Sequence, residues 1–276
     1  MSRNLLLASY PKSGNTWLRI FLANFCSDGP DPVDINALDD MRPSSLVVFE
    51  EAIGVEPTAF SDEEIDLFRP EVYRYLARTG KTKSFLKVHD SFRMNSAGEP
   101  VIPADAVEGA VYIVRNPLDV AISLAHHEGE SVDYVIDTIM ARYYSPRRRF
   151  LFGQIRQHFF PWGQHVLSWV DQTAIPVHVV RYEDMLARPD EVFAGIIGFC
   201  GIPPDTTRIS CAIEKSSFER VRQQEINRGF REKSPDARAF FRQGKAGTWR
   251  DVLSQSQVER VVSSHGAVME RFGYLP

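Results

Sequence analysis

Apolar residues in this chain come in two alternating rhythms. Four short, nearly unbroken runs stand out: Asn4-Leu-Leu-Leu-Ala-Ser-Tyr10, Ser84-Phe-Leu-Lys-Val-His89, Ala110-Val-Tyr-Ile-Val-Arg115 and Val177-His-Val-Val-Arg-Tyr182. Runs of this length predict strands, and the continuous first run predicts one buried on both faces. Between them, Asn15 to Phe25, Leu118 to about His127, and Pro189 to Cys200 repeat their apolar residues at helical spacing. Pro117 suits the first position of its helix, where no N–H is required. Residues 62–79, 131–143, 205–226 and 254–272 also fit helices. Strands alternating with helices predict an α/β fold: one domain over residues 1–276, with a parallel sheet flanked by helices. In such sheets ligands bind beyond the carboxyl ends of the strands, so the loops after the first three strands are expected to converge on one crevice.

The first of those loops carries chemistry. Pro11-Lys12-Ser13-Gly14 lies between a buried strand and an amphipathic helix. Gly14 can take backbone angles closed to other residues and lets a ligand come close. The unpaired amides at a helix start, with the helix dipole, favour an anion. Lys12 adds a full charge, and Ser13 and Thr16 add hydroxyl donors. The ATP-binding pattern G-x-x-x-x-G-K-[ST] is not met, because the lysine precedes the glycine. A plain strand-turn-helix with a surface lysine is the competing reading.

Composition narrows the partners. With 43% hydrophobic and 25% charged residues, the 276-residue chain reads as an ordinary globular protein. A net charge of −4 gives the whole molecule no pull toward nucleic acid or anionic membrane, so a bound anion needs a local cluster. Leu5-Leu6-Leu7-Ala8 is too short for a signal-peptide core, and no stretch approaches the roughly 18 apolar residues that span a bilayer. Cys26, Cys200 and Cys211 lack metal-ligand spacing and read as reduced structural thiols. A soluble, cytoplasmic protein is expected; oligomeric state stays open.

Three motifs resemble those of the PAPS-dependent sulfotransferases, of the cytosolic and bacterial type, where PAPS is 3′-phosphoadenosine 5′-phosphosulfate. Tyr10-Pro-Lys-Ser-Gly-Asn-Thr-Trp17 is similar to that family's 5′-phosphosulfate loop. Val111-Tyr-Ile-Val-Arg-Asn-Pro-Leu-Asp-Val-Ala-Ile-Ser123 resembles its 3′-phosphate motif, and Phe241-Arg-Gln-Gly-Lys-Ala-Gly-Thr-Trp249 its C-terminal Arg-Lys-Gly-x-x-Gly-x-Trp loop. The motifs follow the family's order across nearly the whole chain. The resemblance implies a P-loop-like fold, PAPS as co-substrate, the 3′,5′-bisphosphate PAP as product, no metal, and a small-molecule acceptor.

It also implies roles. Lys12, Ser13, Gly14, Asn15, Thr16 and Trp17 would hold the 5′ end of the donor; Arg115, Ser123, Arg242, Gln243 and Gly244 would hold its 3′-phosphate. Trp17, Tyr182 and Phe218, with Ser216, would form the purine pocket, against the rival reading of core packing. Tyr182-Glu-Asp and Ser216-Ser-Phe218 match family segments. His89, in Lys87-Val-His89, takes the general base's position, and imidazole can accept a proton near neutrality. Lys87 alternates with His89 on the strand and so shares its face, where it can assist the departing sulfuryl oxygens. Asp90 is read as orienting the ring or, preferably, as facing solvent. Two departures stand out: Gln243 replaces the usual lysine, and Thr248 replaces a common acid before Trp249.

Residues 28–66 hold twelve acidic residues against the single base Arg42, and are read as a solvated excursion or as a rim over the acceptor mouth. The variable acceptor-side excursion as a whole is set at 28–80. Arg147-Arg148-Arg149 reads as a solvated face. An ATP-dependent P-loop kinase-like phosphotransferase and a non-catalytic nucleotide-binding protein are the alternatives to sulfuryl transfer.

Overall fold

The computed structural model describes residues 4–38, 42–80, 84–141 and 153–276. In chain order run β1 (Asn4–Ser9), α1 (Asn15–Cys26), α2 (Leu46–Ile53), α3 (Asp62–Thr79), β2 (Phe85–Val88), β3 (Val107–Val114) and α4 (Pro117–Glu128). There follow α5 (Val132–Tyr134), α6 (Trp162–Val170), β4 (Val177–Arg181), α7 (Tyr182–Ala187) and α8 (Pro189–Phe199). The chain finishes with α9 (Thr206–Lys215), α10 (Phe218–Arg228), α11 (Trp249–Val252) and α12 (Gln255–Arg271). Contacts gather these into two compact units: Met1–Tyr10, Asp40–Tyr112 and Ala141–Val179 form the first, and Pro11–Asp39, Ile113–Met140 and Val180–Pro276 the second.

The first unit is built on the sheet, whose strand order is β2-β1-β3-β4; the last two residues of β3 and of β4 count with the second unit. All six residues of β1 are buried, as its unbroken apolar run predicts. β1 and β2 are parallel, with Leu5 opposite Phe85 and Ala8 opposite Val88, so their carboxyl ends lie side by side. Along β2 burial alternates: Leu86 and Val88 are buried, while Lys87 is half-buried. α3 starts on a capping box in which the Glu64 carboxylate accepts from the Ser61 amide at 2.8 Å and the Ser61 hydroxyl accepts from the Glu64 amide at 3.3 Å. Phe49, Tyr73, Trp162 and Trp169 fill the interior.

In the second unit Ile20, Ile35, Leu38, Val221, Phe230 and Phe241 form a buried cluster with Phe218 and Phe240 packed against it. α1 leads out of the phosphate loop, α4 follows β3, and α9 and α10 continue toward the C-terminal loop.

Several expectations need correction. The helix over 205–226 is two helices, because the chain breaks at Ser216-Ser217: the Ser216 hydroxyl turns back onto the Ala212 carbonyl at 2.7 Å and Ser217 is extended. In the described part of 131–143, up to residue 141, the helix is the short α5 followed by a π-helical turn at Val135–Ile139. The stretch 28–66 is no solvated excursion: the apolar residues between its acids, Ile35, Leu38, Val48, Phe49 and Ile65, are buried, and α2 lies within it. α6, with its buried Trp162, His165 and Trp169, escaped prediction. Cys200 is buried, whereas Cys26 and Cys211 are exposed rather than apolar-packed. Arg147-Arg148-Arg149 lies outside the described residues.

Candidate active site

The residues assigned to the nucleotide all belong to the second unit. Its phosphate loop is strained where chemistry is expected: Lys12, a non-glycine residue, has φ 68° and Gly14 has φ 105°. A Cβ on Gly14 would sit 2.7 Å from Cδ2 of Tyr182, so both the backbone angle and the close approach demand glycine there. α1 begins directly after it, with no acid in its first turn and no side-chain cap. The Ser13 hydroxyl is buried and has no partner, an arrangement that costs free energy until a ligand accepts its proton. The Lys12 ammonium lies 4.1 Å over the Phe240 ring.

Arg115, just past β3, ties this loop to the C-terminal one. It donates to the Lys12 carbonyl at 2.9 Å and to the Lys245 carbonyl at 3.2 Å, and its guanidinium lies 4.3 Å over the Tyr182 ring. Burial and then the Arg115 charge push Arg242 below its ordinary pKa, so two guanidiniums are crowded together. Arg242 donates to Nε2 of His126 at 2.9 Å, on the helix that also carries half-buried Ser123 one turn earlier. Gln243 is exposed. Gly244 has φ 61°, and a Cβ there would meet Phe218 at 2.5 Å.

The purine-pocket aromatics are partly committed to packing. Trp17 makes edge contacts with Tyr182 at 6.0 Å and Phe193 at 5.4 Å, yet it and Phe218 are only half-buried, so each keeps ring surface to offer. Ser216 is fully buried and its proton is spent inside its own helix, where it ends α9. Asn15 and Thr16 are buried at the start of α1.

His89 and Lys87 belong to the first unit. Nδ1 of His89 lies 2.8 Å from the Ser9 carbonyl. A carbonyl only accepts, so Nδ1 carries the proton and the lone pair of the neutral ring sits on Nε2. The His89 backbone is held as well: its carbonyl accepts from Nε2 of buried His165 at 3.1 Å, and Nδ1 of His165 accepts from the Tyr112 hydroxyl at 2.8 Å. Burial pushes His165 down to about 4, which keeps it the neutral connector this geometry requires. Asp90 corrects the solvent-facing expectation. Its carboxylate is 2% exposed, paired to the fork of Arg69 at 2.7 and 2.5 Å, and accepts from the His158 amide at 2.8 Å. A buried arginine that the sequence left unassigned draws it inward.

Two contacts join these strand ends in pairs: the end of β1 and the residue after β2 meet at Ser9 and His89 in the first unit, and the loops after β1 and β3 meet at Lys12 and Arg115 in the second. Sequence reasoning missed Asp119, His126, Tyr112, His165 and Arg69; of these Tyr112 and Asp119 had a signal, standing inside the 3′-phosphate motif. Among the described residues no group of three or more metal-ligating side chains occurs, and no helix is long and apolar enough to cross a membrane.

A parallel sheet feeding a strained glycine loop into a helix start, with arginines gathered beside it, defines an α/β protein of the phosphate-loop type. A family model described as the sulfotransferase domain matches residues 2–273. Sulfotransferase 1A1 of Canis lupus familiaris is 26% identical over 281 residues, covering 98% of this chain and 84% of its own. Cytosolic sulfotransferase 13 of Arabidopsis thaliana is 26% identical over 269 residues, covering 94% and 74%. The fold is shared with retinol dehydratase solved with androsterone and the inactive cofactor PAP (TM-score 0.64, 21% identity, 96% of this chain and 80% of that one). It is shared too with a mouse sulfotransferase complexed with PAP (TM-score 0.63, 18% identity, 97% and 84%). The chain belongs to the sulfotransferase domain family, and as such it is a PAPS-dependent sulfotransferase.

Proposed function

We propose that this protein moves the sulfuryl group of PAPS onto a hydroxyl, or an amine, of a small-molecule acceptor by in-line displacement. The acceptor atom forms its bond to sulfur as the bond from sulfur to the bridging phosphate oxygen breaks; Nε2 of His89 takes the acceptor's proton. PAP leaves with the new negative charge on its 5′-phosphate. Lys12 stabilises that charge with the amides of Gly14, Asn15 and Thr16 and the Ser13 hydroxyl, and Lys87 meets the sulfuryl oxygens. Arg115, Ser123 and Arg242, with the backbone of Gln243 and Gly244, take the 3′-phosphate; Trp17, Tyr182 and Phe218 enclose the adenine. Ser216 contributes by ending α9 just before Phe218.

One observation carries the reading. A single guanidinium, Arg115, bonds both the phosphate-loop carbonyl of Lys12 and the C-terminal-loop carbonyl of Lys245, and this link between the two loops supports their acting together on a nucleotide phosphorylated at both ends. Retinol dehydratase, with androsterone bound, supports a small-molecule acceptor. The acid-rich stretch 28–66 favours neutral or cationic acceptors over polyanions. The cytosolic relatives support a cytoplasmic site of action. The kinase-like and non-catalytic readings give way to family membership.

The test is thermal stabilisation by 3′,5′-ADP compared with 5′-ADP and ATP, since a ligand of the native state raises its stability by mass action. A clear shift with the 3′-phosphorylated nucleotide and little with the others, without magnesium, is expected. Equal shifts with ATP would overturn the donor assignment. His89→Ala is expected to keep the 3′,5′-ADP shift and lose at least about 100-fold in turnover. Normal turnover would remove His89 from the base role.

A further inference from the structure

The segment Arg242–Ala246 carries two cations, Arg242 and Lys245, and no acid. A loop with this charge and two left-handed glycines nearby, Gly244 and Gly247, has no intrinsic reason to hold one shape. The structure supplies one, from two buried carboxylates standing at either end of it. Before the segment, Glu225 of α10 accepts from the Phe240 amide at 2.6 Å and from the Phe241 amide at 2.9 Å. After it, Asp119 of α4 accepts from the Gly247 amide at 2.6 Å, the Trp249 amide at 3.0 Å and the Thr248 hydroxyl at 3.1 Å. Asp119 is 2% exposed and Glu225 9%.

From this geometry we infer that Asp119 and Glu225 are positioning residues: they string the Arg242–Ala246 segment between two fixed points and so set the shape in which it receives the 3′-phosphate. The inference rests on the donor assignment above and adds to it two residues that touch no part of the nucleotide. The choice of partners is the core of the argument. Each carboxylate is satisfied by loop amides, so the loop takes its order from backbone bonds, and the cationic heads of Arg242 and Arg115 stay committed to His126 and to carbonyls, which an incoming anion can replace. Thr248 fits the same scheme. An acid at that position would face the Asp119 carboxylate at hydrogen-bond distance and repel it, whereas the threonine hydroxyl gives the latch a third donor. The chain that gives up a loop cation at Gln243 gains a bond holding the loop.

The measurement is the ratio of affinities for 3′,5′-ADP and 5′-AMP, by calorimetry on the full chain, because the two ligands differ only in the 3′-phosphate. Asp119→Ala is expected to weaken 3′,5′-ADP by about 10-fold or more while changing 5′-AMP by less than about 2-fold, collapsing the ratio. Glu225→Gln, which keeps one acceptor oxygen, and Thr248→Val should each lower the ratio by a smaller factor. In an Arg242→Ala background the Asp119 change should add little, since the group it positions is gone. Backbone hydrogen exchange at Gly247 and Trp249 should speed up in Asp119→Ala and in Thr248→Val, which serves should the alanine variant fail to fold. An unchanged ratio in Asp119→Ala or Thr248→Val, or equal losses for both nucleotides, would overturn the inference. A wild-type ratio near one would instead sink the donor assignment itself.

Discussion

Replacing Asp90 by asparagine leaves shape almost untouched and removes one charge, which makes it a clean probe of the buried pair beneath His89. Arg69 is 0% exposed and its guanidinium has the Asp90 carboxylate as its two-pronged partner at 2.7 and 2.5 Å. Its other acid, Asp66, stands 3.9 Å away and is itself shared with Arg93 and His158, at 2.6 and 2.9 Å. After the change, the asparagine NH2 faces a guanidinium N–H and the arginine charge keeps only the distant half of its compensation. Removing one partner from a buried pair costs about 3–5 kcal/mol; with Asp66 still attracting, the low end, about 3 kcal/mol, is expected. Against a total stability of about 5–15 kcal/mol the protein remains folded but is visibly weakened. At a urea m-value of about 3 kcal/mol/M the unfolding midpoint drops by about 1 M. Tryptophan fluorescence follows it well, because the Trp169 indole donates to the Asp90 carbonyl at 2.9 Å. Arg69→Met alone should be comparably harmful, and the two changes together should cost less than their sum by about 2 kcal/mol or more. A midpoint shift under about 0.2 M for Asp90→Asn, or strictly additive single costs, would refute the reasoning.

Two further outcomes are expected. His165 and His265 are both held by burial near a pKa of about 4. An unfolded histidine titrates near 6.5, so between those values the unfolded chain binds protons that the folded one refuses; stability therefore falls as pH drops from about 6.5 toward 4, by up to about 1.4 kcal/mol per pH unit for each. Urea midpoints at pH 7.5, 6 and 5 measure the slope, His265→Gln should reduce it, and a flat profile below pH 6.5 would contradict the claim. Gly14→Ala should cost about 1–2 kcal/mol from its backbone angle alone. It should also abolish the 3′,5′-ADP thermal shift, since the new methyl displaces Tyr182 and with it the ring under Arg115; a retained shift would show that the loop tolerates a side chain.

The readable parts of this chain are those where one local rule suffices. β1 is a run of aliphatics, α3 opens on Ser61 and Glu64 at capping-box spacing, and both matched expectation to within a residue. The phosphate loop was legible for a similar reason: glycine, lysine and helix start all stand within a few residues of one another. What escaped depended on partners distant in sequence. Asp90 faces inward because Arg69, 21 residues earlier, is buried beside it. Asp119 meets amides 128 to 130 residues away. The stretch 28–66 was misjudged by counting its acids, whose charges stay largely at the surface while Ile35, Leu38 and Phe49 between them go inside. Ser216 and Ser217 broke a helix that periodicity alone would have continued, because a serine hydroxyl competes for the carbonyl one turn back.

The chain passes from one compact unit to the other five times, at Tyr10-Pro11, Asp39-Asp40, Tyr112-Ile113, Met140-Ala141 and Val179-Val180. A stop codon after Val179 keeps every segment of the first unit but lacks α7 through α12 together with the Arg242 loop, and no truncation yields either unit free of segments of the other. Synthesis must therefore run through the Val180–Pro276 segment before the second unit is whole, and separating the two units for complementation or fusion calls for rewired connections rather than a cut.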